Sequence, residues 1–207
     1  MSNLSEPADW REGRRRSARD AIVRAAWTLV DEEGLAGLSL RDLARRAGIT
    51  TPTVYAYFES KNAIYDAMFG QAAAQFAEEI TAPFDCEDPR GLLVASVRRF
   101  FEFCTCDPAR YQLLFQRTLP GFEPSTESYA PAVRALVQAQ EFLALNGITE
   151  ARYLDMWTAL ITGLVDQQVS NDPGGDRWYL LVEESIDMFL AHCRATSASP
   201  KVKRMRG

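Results

Sequence analysis

Apolar residues recur every three or four positions along almost the whole chain. Strict alternation bounded by hairpin dipeptides is absent, so the pattern predicts helices and no sheet. Residues 1–13 hold Pro7, Gly13 and mixed charge, and are expected to be loose. Ala18, Ile22, Ala25, Ala26, Leu29 and Val30 form a stripe that predicts a first helix from Ser17 to Glu33, stopped by Gly34. Ser39 opens Ser-Leu-Arg-Asp, a capping-box-like start with Asp42 in place of Glu or Gln. Leu40, Leu43, Ala44 and Ala47 then give a short helix ending at Gly48. Thr50-Thr51-Pro52 is a start signal for a third helix, running to Tyr57. Ser60 caps a fourth, from Lys61 to Ile80.

The stretch TAPFDCEDP breaks the pattern, and a fifth helix follows from Arg90 to Cys104. Pro108 begins a short aromatic sixth. LPGFEPSTESYAP reads as the longest loop, before a seventh helix over Ala132–Leu145. Thr149 is expected to cap an eighth helix that reaches Ser170. Asn171-Asp172-Pro173-Gly174-Gly175 is a strong stop. Asp176 is expected to cap a ninth helix, ending near Arg194. From Ser197 the tail is polar and basic, and disorder is expected there.

The second and third helices are joined by a turn of about four residues centred on Gly48, which is helix-turn-helix spacing. Small Ala44 permits a close crossing, Gly48 can take a positive φ, and Leu43, Ile49 and Val54 can pack beneath. The outward side of the third helix then presents Thr51, Thr53, Tyr55, Ala56 and Tyr57. Hydroxyls, phenols and a small apolar group suit phosphate oxygens, base edges and thymine methyls.

Composition narrows the class. At 47% hydrophobic and 25% charged, the 207 residues describe a globular chain with enough length for a sizeable core. No run of 18 apolar residues exists to span a membrane, and the N-terminal residues lack the apolar stretch of a secretory signal. Cys86, Cys104, Cys106 and Cys193 are too scattered for a disulfide scaffold. Together these point to a cytoplasmic protein. Charge divides along the chain: residues 1–61 carry ten Lys and Arg against nine Asp and Glu, residues 62–200 nine against nineteen, and the last seven four against none. Arg14, Arg15, Arg16 and Arg19 precede or open the first helix and suggest a basic arm that could follow a nucleic-acid backbone or enter a minor groove.

Over roughly Arg19–Phe69, the text AIVRAAWTLVDEEGLAGLSLRDLARRAGITTPTVYAYFESKNAIYDAMF resembles the DNA-binding domain of TetR/AcrR-family transcriptional regulators. The resemblance implies an all-α fold with an N-terminal three-helix helix-turn-helix domain over residues 1–66. A larger helical bundle over 67–196 would bind an effector and dimerise, and 197–207 would form the basic tail. The third helix would be the recognition helix, with Thr51, Pro52, Thr53, Tyr55, Ala56 and Tyr57 facing double-stranded operator DNA. Lys61 would grip a phosphate, Arg41 would reach a base, and Ser39 would touch a phosphate at its helix cap.

The eighth and ninth helices are apolar on more than one side, as the family's four-helix homodimer interface would require. Two heads placed one DNA turn apart read a pseudo-palindrome. An effector pocket among helices four to eight is implied, with Phe103, Tyr111, Phe115, Trp157 and Ile161 as apolar candidates and Arg117 and Gln168 as polar ones. The function implied is a dimeric repressor released from DNA by an apolar small molecule. An activator, a ligand-independent DNA organiser or a thiol-based redox sensor on the same fold are the alternatives. No cofactor, metal site or membrane partner is expected. An enzyme is not: His192 is the only histidine, and no phosphate-binding, nucleophile-elbow or zinc-protease motif occurs.

Overall fold

The computed structural model describes residues 8–198, with side chains placed for 10–196. The described residues contain helices and no strand. In order they are α1 (Ala8–Gly37), α2 (Leu40–Arg46), α3 (Thr51–Tyr57), α4 (Lys61–Thr81), α5 (Pro89–Cys106), α6 (Pro108–Phe115), α7 (Thr126–Leu145), α8 (Ala151–Asn171), a 3₁₀ turn (Tyr179–Leu181) and α9 (Val182–Ala198). None is long and apolar enough to cross a membrane.

The chain divides into two compact units. One holds the residues up to Gln75 together with Ala109–Pro131; the other holds Phe76–Pro108 and the residues from Ala132 onward. In the first, α1, α2 and α3 pack on one another. Ile22, Ala26, Leu29, Leu38, Leu43 and Val54 are buried there, as the apolar stripes require. The beginning of α4 is tied to this core by polar contacts. Tyr65 donates its hydroxyl to the Leu35 carbonyl at 2.5 Å, and Trp27 donates to Gln71 at 2.8 Å. In the second unit, α5, α8 and α9 pack mutually around Phe101, Tyr153, Trp157, Ile161, Ile186 and Phe189.

Several boundaries differ from the sequence pattern; among them, α5 runs on to Cys106 and α9 to Ala198. Helix α1 begins at Ala8 rather than Ser17, so residues 8–13 are helical; residues 1–7 lie outside the described part. Arg14 lies 3.6 Å from the Trp10 ring centroid, a favourable contact four residues apart along this added stretch. The Gly34 stop is present, with φ 74 and ψ 169.

Helix α7 begins at Thr126, six residues before Ala132, and carries Pro131 inside it. Its first turn is pinned by Asp66, which accepts from the Ser125 backbone N–H at 2.6 Å and from the Ser125 and Ser128 hydroxyls at 2.9 Å each. Gly70 makes the approach possible, because a Cβ there would stand 3.0 Å from the Ser128 hydroxyl oxygen.

Helix α8 is preceded by Glu150, not Thr149, in the cap position, with no side-chain cap bond. Helix α9 starts at Val182 instead of directly after Asp176. Backbone N–H groups that would open a helix at Asp176 are captured instead. Arg177 N–H goes to the Asp172 carboxylate at 3.1 Å, and those of Trp178 and Tyr179 go to the Gln168 side-chain oxygen at 3.0 and 3.4 Å. Ser197 and Ala198, where a disordered tail is expected to begin, instead close α9; the rest of that tail, from residue 199, lies outside the described residues.

Candidate nucleic-acid interface

Local chemistry fixes the ends of α2 and α3. Ser39 accepts from Asp42 N–H at 3.1 Å and donates to the Asp42 carboxylate at 2.5 Å, a reciprocal cap. That hydrogen bond, with Arg45 and Arg41 nearby, holds the Asp42 carboxyl below its ordinary range. At the other end of α2, Gly48 adopts φ 69. Ile49 N–H reaches Ala44 O at 3.0 Å and Gly48 N–H reaches Arg45 O at 3.3 Å, the paired bonds of a Schellman turn. Helix α3 then starts on Thr50, which accepts from Thr53 N–H at 3.3 Å, with Pro52 in the first turn. Val54 is the one buried residue of α3, and Phe58 follows as a second buried anchor.

This arrangement leaves the other side of α3 in solvent. Pro52, Tyr55 and Ala56 are exposed, Tyr55 by 52%, while Thr51, Thr53 and Tyr57 are half-buried. The Thr53 hydroxyl lies 2.8 Å from that of Thr50 and retains bonding capacity. Arg41 is exposed on α2. Lys61 opens α4 directly after Ser60, which accepts from Ala63 N–H at 3.1 Å; its ammonium lies 5.4 Å from the Tyr65 ring centroid. Ser39 has its hydroxyl engaged by Asp42 on both sides. Six α3 positions, with Arg41 and Lys61 beside them on adjoining helices, thus belong to one compact unit.

Arg19 has a role the sequence pattern missed. It does not extend a loose arm: it sits on α1, donates to the Tyr57 carbonyl and lies 4.1 Å from the Phe58 ring centroid. It therefore holds the C-terminal end of α3. Arg11, Arg14, Arg15 and Arg16 are exposed on the added stretch of α1.

The candidate effector residues fall into both units. In the first, Phe115 and Arg117 line a cavity of about 220 Å³ together with Phe69, Leu113, Phe122 and Tyr129. Tyr111 is buried against Phe115, with ring centroids 5.7 Å apart. Arg117 meets Glu123 at 3.6 Å, in a pair exposed enough to contribute little. In the second unit Phe103 packs on Phe76 at 5.1 Å, Trp157 packs on Phe189 at 5.3 Å, and Ile161 is buried. Gln168 is also buried, but its amide is committed. It donates to the Asp172 carbonyl and carboxylate and accepts from Trp178 and Tyr179, so it locks the turn before α9.

Cys104 and Cys106 both lie within α5. Two residues apart on a continuous helix, they point about 200° from each other. Cys104 is fully buried, and burial pushes its thiol up, away from the reactive thiolate; Cys106 is exposed.

A short helix capped at both ends, packed on a second short helix across a glycine turn and showing phenols and hydroxyls outward, has helix-turn-helix geometry. Residues 22–68 match the model for bacterial regulatory proteins of the tetR family. Over 162 residues the chain is 30% identical to the class A tetracycline repressor of transposon 1721 from Escherichia coli, covering 76% of this chain and 70% of that one. The fold recurs in a tetR-family transcriptional regulator from Streptomyces coelicolor, with TM-score 0.67, 21% identity, and 88% of this chain and 82% of that one covered. A TetR variant from Acinetobacter baumannii AYE, solved with minocycline, gives TM-score 0.58 and 23% identity, with 86% and 97% covered. The chain belongs to the TetR family of transcriptional regulators, and it is not an enzyme.

Proposed function

We propose that the protein is a dimeric repressor that reads a pseudo-palindromic operator and leaves it when a small apolar molecule binds. The observation that carries this reading is the outward face of α3, where Pro52, Tyr55 and Ala56 stand in solvent on a helix anchored by Val54. Thr51, Thr53 and Tyr57 extend that face, Arg41 and Lys61 flank it, and the backbone N–H groups at Ser39 offer a phosphate contact. Residues 1–66 would supply the head and 67–196 the effector and dimer functions.

Support for dimerisation through α8 and α9 comes from their exposed sides. Met156, Ala159 and Gly163 are spaced along one exposed side of α8, and Met188, Ala191 and Ala195 along one of α9. A mid-helix glycine costs about 1 kcal/mol against alanine. Among the described residues nothing lies within 4 Å of a Cβ at Gly163, which supports a closely approaching partner helix there. Gly163→Leu is expected to yield a folded monomer by sedimentation velocity. A dimer unchanged in that variant removes α8 from the interface.

Effector binding is supported by the cavity beside Phe115 and Arg117. Phe122 lines it and packs on Tyr65 with ring centroids 5.7 Å apart. The buried Tyr65 hydroxyl donates to Leu35 O, just ahead of α2. A molecule displacing Phe122 would thereby disturb the support of the reading head. A coupling of about 1–3 kcal/mol would weaken operator binding roughly 5–150-fold.

The test is a footprint on the DNA immediately upstream of the protein's own gene, at near-physiological salt. The expected result is a protected pseudo-palindrome that is lost with Tyr57→Ala and weakened with Lys61→Ala. Weak, salt-sensitive binding everywhere, there and in a genome-wide pull-down, would rule out sequence-specific regulation.

A further inference from the structure

The stretch of α1 that precedes Ser17 is helical, and it carries Arg11, Arg14 and Arg15 at spacings of three and four residues. At that spacing side chains share one face of a helix. All three are exposed, and all three line one open groove of about 910 Å³. The opposite wall of the groove is the outward face of α3: Pro52, Thr53, Ala56 and Tyr57. Like charges three and four apart weaken a helix in isolation. Their concentration on the side that looks into the groove gives that wall the positive sign a polyanion needs.

The geometry points to a second DNA site, distinct from base reading: the α1 extension, through Arg11, Arg14 and Arg15, clamps the sugar-phosphate backbone of the strand that runs beside α3. The inference rests on the DNA-binding reading above. It adds a rigid helical rail to the recognition helix, where the sequence pattern suggested only a loose arm. Guanidinium forks match phosphate oxygens in pairs, which makes arginine the fitting residue at all three positions. The interaction is indifferent to sequence, because phosphates carry none of it. Arg19 belongs to a different job, since it is spent on the Tyr57 carbonyl.

The experiment measures binding of the full chain to a random-sequence DNA duplex and to the fragment protected in the footprint, across a salt series. In Arg11→Ala/Arg14→Ala/Arg15→Ala, alanine preserves helix propensity, and circular dichroism verifies the fold. The expected result is about tenfold weaker binding to both duplexes with an unchanged ratio between them, and a salt slope shallower by about 0.9 for each phosphate no longer neutralised. The triple lysine variant should recover most of the affinity. A second triple variant, Arg134→Ala/Arg177→Ala/Arg194→Ala, removes the same charge from exposed positions elsewhere and should change binding little.

Equal loss in both alanine variants overturns the proposal in favour of net charge alone. An unchanged salt slope in the first variant, with wild-type binding intact, overturns the rail while leaving the recognition helix standing. Failure of the wild-type protein to bind either duplex overturns both.

Discussion

Helices α3 and α8 solve opposite problems. The first is seven residues long and buries one of them; the second is 21 residues long and buries five, Tyr153, Trp157, Ile161, Val165 and Gln168. Helix α3 leaves one face in solvent and has a single buried flank residue, Val54, so its ends share the task of holding it: Thr50 and Pro52 at one, Phe58 and the Arg19 donation to Tyr57 O at the other. Helix α8 needs no side-chain cap, and has none, because its flank carries the free energy of burial. End signals are local and specific in residue type, and those of α2 and α3 fall within residues 22–68, which the family model matches. A flank asks only for apolar residues at helical spacing, which many sequences satisfy.

Truncating the flank should have the largest effect. Trp157→Ala should cost about 3–5 kcal/mol in denaturant unfolding, as expected for a large buried ring, with hydrogen exchange accelerated along α8 and α9. A cost no greater than that of losing a cap would break the contrast.

Removing an end of α3 should be milder in stability and sharper in function. Thr50→Ala should cost about 0.5–2 kcal/mol. Exchange should rise in α3 and the affinity for the protected DNA fragment should fall, while Thr50→Ser keeps both near wild type. An equal loss of affinity from both variants would show that the cap hydroxyl is not what positions α3.

The smallest effect concerns the cap of α2 and appears only in acid. The Asp42 carboxyl is lowered from 3.8, mainly by the Ser39 hydrogen bond. A carboxyl depressed in the folded state contributes stability above its unfolded value, and that contribution is lost as pH falls through the lower folded value. Asp42→Asn should therefore lower the melting temperature slightly at neutral pH, with the difference from wild type closing in strong acid. Parallel melting curves at every pH would assign the effect to geometry alone.

The reading head was largely legible. Ser39 with Asp42, Gly48, and Thr50 with Pro52 each announce a backbone feature through a side chain a few residues away, and the structure uses all of them. The start of α7 was not legible, because Pro131 is a local stop signal. What overrides it is Asp66, 59 residues before Ser125, together with the space left at Gly70. Gln168 showed the same limit. A buried amide in an apolar stripe suggested a ligand contact, whereas its partners are backbone groups ten and eleven residues on.

By itself the sequence determined that this chain is helical, where most helices stop, and which two short segments form the helix-turn-helix. These depend on hydrophobic period and on caps, and both act within a few residues. Only the tertiary structure decided that Arg19 braces α3, that Asp66 extends α7, that Gln168 delays α9, and that three arginines before Ser17 share a groove with α3. Each of those depends on groups that folding brings together from distant positions, and no local pattern encodes which distant donor will meet which acceptor.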